Sequence, residues 1–401
     1  MKPLKIVILT YGSRGDVQPF LALALGLQQA GHAVTLAAPG RFESLVLPYG
    51  VHFAPLAGDP EVISRSLNDA GGNIYRMVKG MQDYVLRIAP EVIQGVHQAL
   101  QAAELLVHGF LFTTGAHSIA RQMGIPDVSV QTFPMFVPTR AFPNVALSNL
   151  RPGWLSRFSH WFATQVFWYG GNAGYRRLQR SSNAGFPRKL YWPFSASPER
   201  PLTPLLFAYS PSVLPKPADW TAPNLHIPGY FFLDQPDYRP PQDLQDFLAE
   251  DPPPVCITFG SNIHQGAQQV TQAALAGLAR TGNRAIFLTG WGGWQPESPP
   301  PGTLFLDSAP HDWLFPRCKL IVHHGGAGTT AAGLRSGLPN IVVPHATDQP
   351  FWARRVAAIA AGPQPIPIRH FSPQRFEVAM VEAEGEKIQA GAADIGRRIR
   401  A

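Results

Sequence analysis

The chain has 401 residues, 45% of them hydrophobic and 15% charged, with 33 basic against 26 acidic side chains for a formal net charge of +7. So much apolar content with so little charge excludes a disordered polymer, and the length exceeds the roughly 250 to 300 residues at which a single core stops growing, so about two domains are expected. The basic excess forms no Lys/Arg block, zinc-finger spacing or recognition-helix pattern, which argues against nucleic acid and favours anionic membrane surfaces or phosphate-bearing ligands.

In chain order, Leu4 to Thr10 is a β-rich apolar run, followed by the glycine loop Tyr11 to Asp16 and a helical periodicity from Phe20 to Ala30. Gly31-His32 stops that helix and a second strand, Ala33 to Ala38, follows. A strand, glycine loop, helix and strand in forty residues is how a parallel doubly wound sheet begins. Strand Glu104–His108, a helix near Thr114 to Met123 closed by Gly124 and Pro126, and strand Val128–Val130 continue it. From Trp154 to Tyr191 aromatic residues crowd at helical spacing; such residues are most often core, the other reading being an apolar acceptor pocket or a membrane-facing surface.

The pattern restarts at Val255–Phe259, with Gly260-Ser261 and a helix from about Gln268 to Arg280 behind it. Ahead of the second opening, Pro215 to Pro254 is rich in proline and aspartate, so the expected division is residues 1–215, a linker over 216–253, a second domain over 254–385 and a tail over 386–401. Trp291 to Gly302 reads as a surface loop. Cys256 and Cys318 lie in strand-like runs rather than a disulfide framework, there is no signal-like leader, and no stretch approaches the roughly 18 apolar residues of a membrane span; a cytoplasmic protein is expected, with peripheral attachment at the inner membrane face left open.

The densest chemistry lies in the run Leu320 to Thr330, where a strand ends in His323-His324-Gly325-Gly326-Ala327-Gly328-Thr329 and a helix begins. A strand that runs into a glycine turn and opens a helix aims free backbone N–H groups and the positive helix end at an anion, and phosphate or diphosphate is the natural guest. No lysine follows the glycines and the spacing is not G-x-G-x-x-G, which excludes a Walker A loop and argues against a dinucleotide fingerprint. His323 and His324 diverge if both are in a strand, so they are not a metal pair, and no other His/Asp/Glu cluster has ligand spacing.

With Pro310 to Phe315 upstream and strand Asn340–Pro344 leading into His345-Ala346-Thr347-Asp348-Gln349-Pro350 downstream, the stretch from His311 to about Ala357 resembles family 1 glycosyltransferases of GT-B architecture. It is most similar to the bacterial and fungal branch that includes sterol glucosyltransferases and the glycosyltransferases of glycopeptide antibiotic pathways. Gly12 to Pro19 matches the amino-terminal signature of that branch. The resemblance implies an α/β fold of two Rossmann-like domains with parallel sheets facing each other across a cleft, the acceptor held by the first and a UDP- or dTDP-sugar by the second. It places His324, the Gly326, Ala327, Gly328 and Thr329 backbone and Ser261 on the diphosphate, and Asp348 and Gln349 on the sugar hydroxyls. Trp313, Trp291 and the His311 loop are candidates for packing on the nucleotide base.

Inverting transfer needs a base for the acceptor hydroxyl, and Asp16 is the candidate, with Ser13 and Arg14 beside it in the acceptor loop. Plant members of the wider family use a histidine in this loop, and Tyr11 to Gln18 contains none. A lone aspartate needs its pKa raised by burial to serve, and the competing reading is that Asp16 caps the following helix. The expected activity is a metal-independent, cofactor-free transfer of a hexose to a hydroxyl of a lipophilic acceptor such as a sterol, hopanoid or polyketide. The alternatives are a nucleotide-sugar epimerase or hydrolase, or a catalytically silent lipid-binding partner. Members of this architecture usually finish with a helix that crosses to the first domain, and little chain remains here for one.

Overall fold

The structure is a computed structural model and describes residues 2–62, 74–148, 150, 153–181, 185–187, 189–194, 202–235, 237–259, 266–290 and 294–401. By their contacts these form two units, residues 1–209 with 216–233, and residues 210–215 with 234–401.

In the first unit β1 (Lys5–Leu9), α1 (Arg14–Gln29), β2 (Ala33–Pro39) and β3 (His52–Leu56) lead to the long helix α2 (Ile74–Leu100). Then come β4 (Leu105–His108), α3 (Gly115–Met123), β5 (Asp127–Gln131), α4 (Trp154–Ser181), β6 (Leu205–Phe207) and β7 (Leu225–His226). The seven strands pair in parallel in the order β3-β2-β1-β4-β5-β6-β7. One face buries Val7 and Leu9 against Val92, Val96 and Leu100 of α2 and Ile119 of α3. Chain order reverses between β1 and β4, where the Gly109 N–H donates to the Leu9 carbonyl at 2.9 Å, and loops past the carboxyl ends of strands at such a reversal form the ligand crevice of open α/β sheets.

The second unit contains α5 (Gln242–Ala249), β8 (Val255–Thr258), α6 (Ala267–Thr281), β9 (Ala285–Leu288), β10 (Thr303–Leu306), β11 (Leu320–His323) and α7 (Ala327–Ser336). It closes with β12 (Asn340–Val342), α8 (Gln349–Ala358), α9 (Pro373–Ala383) and α10 (Glu386–Arg400). Its strands are parallel in the order β10-β9-β8-β11-β12, reversing between β8 and β11. Alternation along β8 serves both faces: Val255 and Ile257 pack with α6 and α9, and Cys256 packs with Leu244 of α5 and Phe315. The last helix, α10, lies along α7, where a Cβ on Gly396 would come within 2.5 Å of the Gly337 Cα.

Two local differences from the sequence reading have physical causes. Helix α1 begins at Arg14, not near Phe20, because Ser13 takes the cap position and Asp16 the third helical position; Pro19 inside the helix is what hid the first turn from the periodicity. The aromatic stretch is only partly core. Phe167 packs with Phe110, Phe136 and Trp192, whereas Trp154, Phe158, Trp161, Phe162 and Tyr169 face outward.

Candidate active site

In the second unit β11 ends in the turn His324-Gly325-Gly326, and α7 starts with Gly326 as its cap. The first intrahelical bond of this turn runs from the Thr330 N–H to the Gly326 carbonyl, so the N–H groups of Ala327, Gly328 and Thr329 point from the helix start without helical acceptors. Gly325 has φ 90°, and a Cβ there would meet Val342 at 2.8 Å and the Gln349 carbonyl at 3.1 Å. A side chain is therefore excluded by conformation and by space. Gly326 has an ordinary φ, but a Cβ would lie 2.5 Å from His324 Nε2, so the histidine ring packs on the bare glycine.

The loop after β12 closes on the same turn. His324 and His345 have ring centroids 6.4 Å apart, and Gln349 packs against Gly325. Gln349 Oε1 accepts from the His345 N–H at 2.8 Å and the Ala346 N–H at 3.2 Å, which commits the oxygen to the loop and leaves the amide nitrogen as the polar end of the side chain. Asp348 precedes α8, where its Oδ2 accepts from Trp352 Nε1 at 3.1 Å and its Oδ1 from the Thr347 hydroxyl at 3.0 Å. Thr347, with φ 58°, is held in left-handed backbone within this loop.

Burial pushes the His324 imidazole down to about 3, with His323, His345 and His311 adding to the shift and the Thr258 carbonyl opposing it. His345 is likewise pushed down to about 4 by burial. Both rings are neutral near pH 7 and act as hydrogen-bonding groups, so the fixed positive potential of the turn comes from the α7 terminus. His324 Nδ1, His345 Nε2 and Thr330 Oγ1 are buried without a hydrogen-bond partner among the described residues. Three such atoms on the segments that make one turn mark a polar ligand position.

His323, set aside in the sequence as a strand residue, holds the turn in place. Its Nδ1 accepts from the Gly325 N–H at 3.1 Å, so Nε2 carries the proton and donates to Asn340 Oδ1 at 3.1 Å, while Asn340 Nδ2 donates to the Leu338 carbonyl at 2.7 Å. Burial keeps this ring neutral, its pKa pushed down to about 3. The signal in sequence was the HH pair itself: alternation sends one ring toward the neighbouring strand and the other to the turn.

In the first unit Asp16 sits in the first turn of α1, past the carboxyl end of β1. Its Oδ2 accepts from the Ser13 N–H at 2.7 Å and the Ser13 hydroxyl at 2.9 Å, so the capping geometry is present. Its Oδ1 receives neither of those bonds, which leaves one carboxylate oxygen for another proton donor. Gly12, at φ 140°, is the residue whose side chain would collide with this carboxyl. Asp16 keeps part of its surface open, yet protein packs closely round the carboxyl: burial raises its pKa above the ordinary range, and the two Ser13 bonds only partly oppose the rise. Arg14 is exposed and donates from Nε to Gln18 Oε1 at 3.0 Å. Beyond β4 and β5, Phe110 packs with Phe133 and Phe136, and Phe136 with Phe167, Trp192 and Phe194, forming a continuous aromatic cluster.

Of the expected nucleotide-base residues, Trp313 is covered on one face by the Arg317 guanidinium at 4.1 Å and meets Tyr238 edge-on, and His311 stacks on Phe315 with centroids 4.4 Å apart. Ser261 and Trp291 lie outside the described residues. A further buried cluster, Asp127 with His108 and His117, bridges β4, α3 and β5 in the first unit. Among the described residues no group of three or more His, Cys, Asp and Glu side chains is placed to hold a metal ion.

Residues 6–168 match the glycosyltransferase family 28 N-terminal domain, and residues 296–394 match the C-terminal domain of erythromycin biosynthesis protein CIII-like proteins. The chain is 37% identical over 383 residues to O-mycaminosyltylonolide 6-deoxyallosyltransferase of Streptomyces fradiae, covering 91% of this chain and 86% of that protein. It is 34% identical to a sterol 3-beta-glucosyltransferase of Arabidopsis thaliana over 99% of this chain, spanning 63% of that enzyme, and it spans about a quarter of the fungal sterol 3-beta-glucosyltransferases it matches. Among solved structures, the glycotransferase of kitacinnamycin superposes with a TM-score of 0.69 at 20% identity, covering 100% of this chain and 96% of that one. The calicheamicin glycosyltransferase CalG4 superposes with a TM-score of 0.68 at 16% identity, covering 100% and 95%. With two parallel α/β units, a helix-capped glycine turn and relatives of this identity along its whole length, the chain belongs to the GT-B glycosyltransferases, in the group that embraces sterol and macrolide glycosyltransferases.

Proposed function

We propose that the protein transfers a hexose, with inversion, from a UDP- or dTDP-sugar to a hydroxyl of a lipophilic acceptor such as a sterol, hopanoid or polyketide. The reading is carried by the second-unit turn, where free helix N–H groups lie beside a neutral histidine and the segments that form the turn hold three buried polar atoms without partners among the described residues. A diphosphate satisfies that set: the α7 terminus carries its charge, His324 donates a hydrogen bond, and Asp348 and Gln349 address the sugar hydroxyls. One relative is described as a sterol glucosyltransferase and one as a macrolide deoxyallosyltransferase, and a solved neighbour, SsfS6, is complexed with thymidine diphosphate, in keeping with a nucleotide-sugar donor and an apolar acceptor. The aromatic cluster past β4 and β5 suits such an acceptor.

In the step itself the acceptor oxygen forms a bond to the anomeric carbon as the bond from that carbon to the diphosphate oxygen breaks. The hydroxyl proton passes to Asp16 Oδ1, and the departing charge rests on the α7 terminus and the His324 hydrogen bond. Those groups suffice for the leaving charge without a divalent cation. We read the first unit as the acceptor domain and the second as the donor domain.

The test is release of nucleoside diphosphate from a panel of UDP- and dTDP-sugars, with and without pooled hydroxylated lipophiles and with and without EDTA. Acceptor-dependent release that EDTA leaves unchanged supports the proposal. Acceptor-independent turnover replaces it with an epimerase or hydrolase, and donor binding without release with a silent partner.

A further inference from the structure

Helix α4 reverses the usual pattern of a surface helix over its first two turns. There its protein-facing side is polar, with Ser156, Ser159 and His160 fully buried, before Ala163 and Phe167 continue that side as apolar packing; its solvent side presents Trp154 at 81% exposure, Phe158 and Trp161 at 54%, Val166 at 57% and Tyr169 at 65%. Surface helices normally bury the apolar stripe. The reversal is locked by hydrogen bonds. The Ser159 hydroxyl donates to the Ser156 carbonyl at 2.6 Å and accepts from the Asn144 N–H at 2.8 Å. Asn144 Nδ2 donates to His160 Nδ1 at 3.3 Å, so the His160 Nε2–H donates to the Phe142 carbonyl at 3.1 Å. Rotating the aromatic face inward would leave these buried groups unpaired, so the outward stripe is a property of the fold.

The stripe runs from Trp154 to Tyr169, about 22 Å at 1.5 Å per residue. Exposed Arg176 continues the same face two turns on, and Arg177 is exposed beside it. The charge pattern around it is one-sided. From Val128 to Pro198 the sequence holds eight Lys and Arg and not one Asp or Glu, a surplus larger than the net charge of the whole chain. Among the described residues no helix is long and apolar enough to cross a membrane. A helix with outward Trp, Phe and Tyr, no acidic side chain and flanking arginines matches the interface of an anionic bilayer, where aromatic rings sit at headgroup depth and cations meet lipid phosphates. We propose that the Trp154–Tyr169 face of α4 docks the protein on an anionic phospholipid surface, the helix lying in the interface plane. This is independent of the transferase reading and would bring the protein to an acceptor dissolved in lipid.

The experiment is sedimentation of the full chain with vesicles of phosphatidylcholine alone or mixed with phosphatidylglycerol. The wild type is expected to pellet with the mixed vesicles and to be released by salt. The double variant Phe158→Ser/Trp161→Ser is expected to lose at least about tenfold in partitioning, and Phe158→Leu/Trp161→Leu to regain most of it. Arg176→Gln and Arg177→Gln should each weaken binding to the mixed vesicles by roughly fivefold and leave the weak binding to phosphatidylcholine alone unchanged. Circular dichroism melts confirm that each variant is folded. Equal pelleting of the Ser variant and wild type overturns the proposal, since charge alone would then account for binding, as does wild type that stays in solution with both vesicles. A lipid-free dimer that the Ser variant dissolves also overturns it, making the stripe an interface between copies.

Discussion

Replacing Asp16 by Asn separates the capping role seen in the structure from the base role proposed for the same carboxyl. Asn keeps the shape and an oxygen to accept from the Ser13 N–H, now bonded to Asp16 Oδ2 at 2.7 Å, so the first turn of α1 should survive. It removes the only function that Oδ1 can supply, acceptance of a proton. A positioned general base contributes about a hundred- to ten-thousandfold, so kcat should fall by that factor, a loss of about 3 to 5 kcal/mol of transition-state stabilisation, with donor affinity unchanged. Stability should move the other way. Burial raises the folded-state pKa of Asp16, so the folded protein holds this proton more tightly than the unfolded chain, and the stability that it contributes is lost as pH rises through the raised pKa. At neutral pH the ionised carboxyl is a cost, and the Asn variant should melt at the same temperature or higher. Acceptor-dependent nucleoside diphosphate release, a donor titration and a thermal melt measure the three quantities. The wild-type rate should fall on the acid side as the carboxylate protonates, and Ser13→Ala, which deletes a bond that favours the ionised form, should move that acid limb to higher pH. A variant within about tenfold of wild-type kcat, or one that loses activity only by unfolding, would refute the assignment of Asp16 as base.

Three further outcomes are expected. His323→Phe orphans the Gly325 N–H and Asn340 Oδ1, and should cost roughly 1 to 3 kcal/mol, seen as a lowered melting temperature. Being a positioning residue for the turn, it should raise the donor KM more than it lowers kcat, and equal effects on both would contradict that role. Gln349→Glu preserves the two bonds accepted from His345 and Ala346 but deletes the amide donor, so donor KM should rise about tenfold with little change in melting temperature; an unchanged KM removes Gln349 from the sugar site. Asp127 is raised by burial but more strongly lowered by its bonds to His108 and His117, which together hold it at about 2. That contribution, roughly 2 kcal/mol, is present above the ordinary aspartate pKa and lost as pH falls toward 2, so Asp127→Asn should cost stability at pH 6 and progressively less below pH 4; a cost independent of pH would show the charge to be irrelevant.

Much of the parallel framework was legible because its signals are local. Strands 5–9, 33–39, 255–258 and 320–323 are apolar β-rich runs beside glycine turns, and α6 and α7 show clear boundaries. The glycine turn after β11 was legible for the same reason: strand, turn and helix start are contiguous, and their chemistry follows from backbone geometry. Helix α2 escaped because Gly80, Pro90 and Gly95 interrupt its pattern, and the short strands β6 and β7 are too brief to carry a period.

The sequence by itself determined which backbone segments would turn, where an anion could be met by free N–H groups, and that charge around α4 would have a single sign. Only the tertiary structure decided the rest, because those properties depend on neighbours far along the chain or on the direction of a side chain. It set Asp16 into a helix cap with one oxygen left over, buried His324 until it is neutral, and coupled His323 to Asn340 across adjacent strands. It also turned the aromatic face of α4 toward solvent, since periodicity can define a stripe but only the hydrogen bonds of Asn144, Ser159 and His160 choose which side is buried.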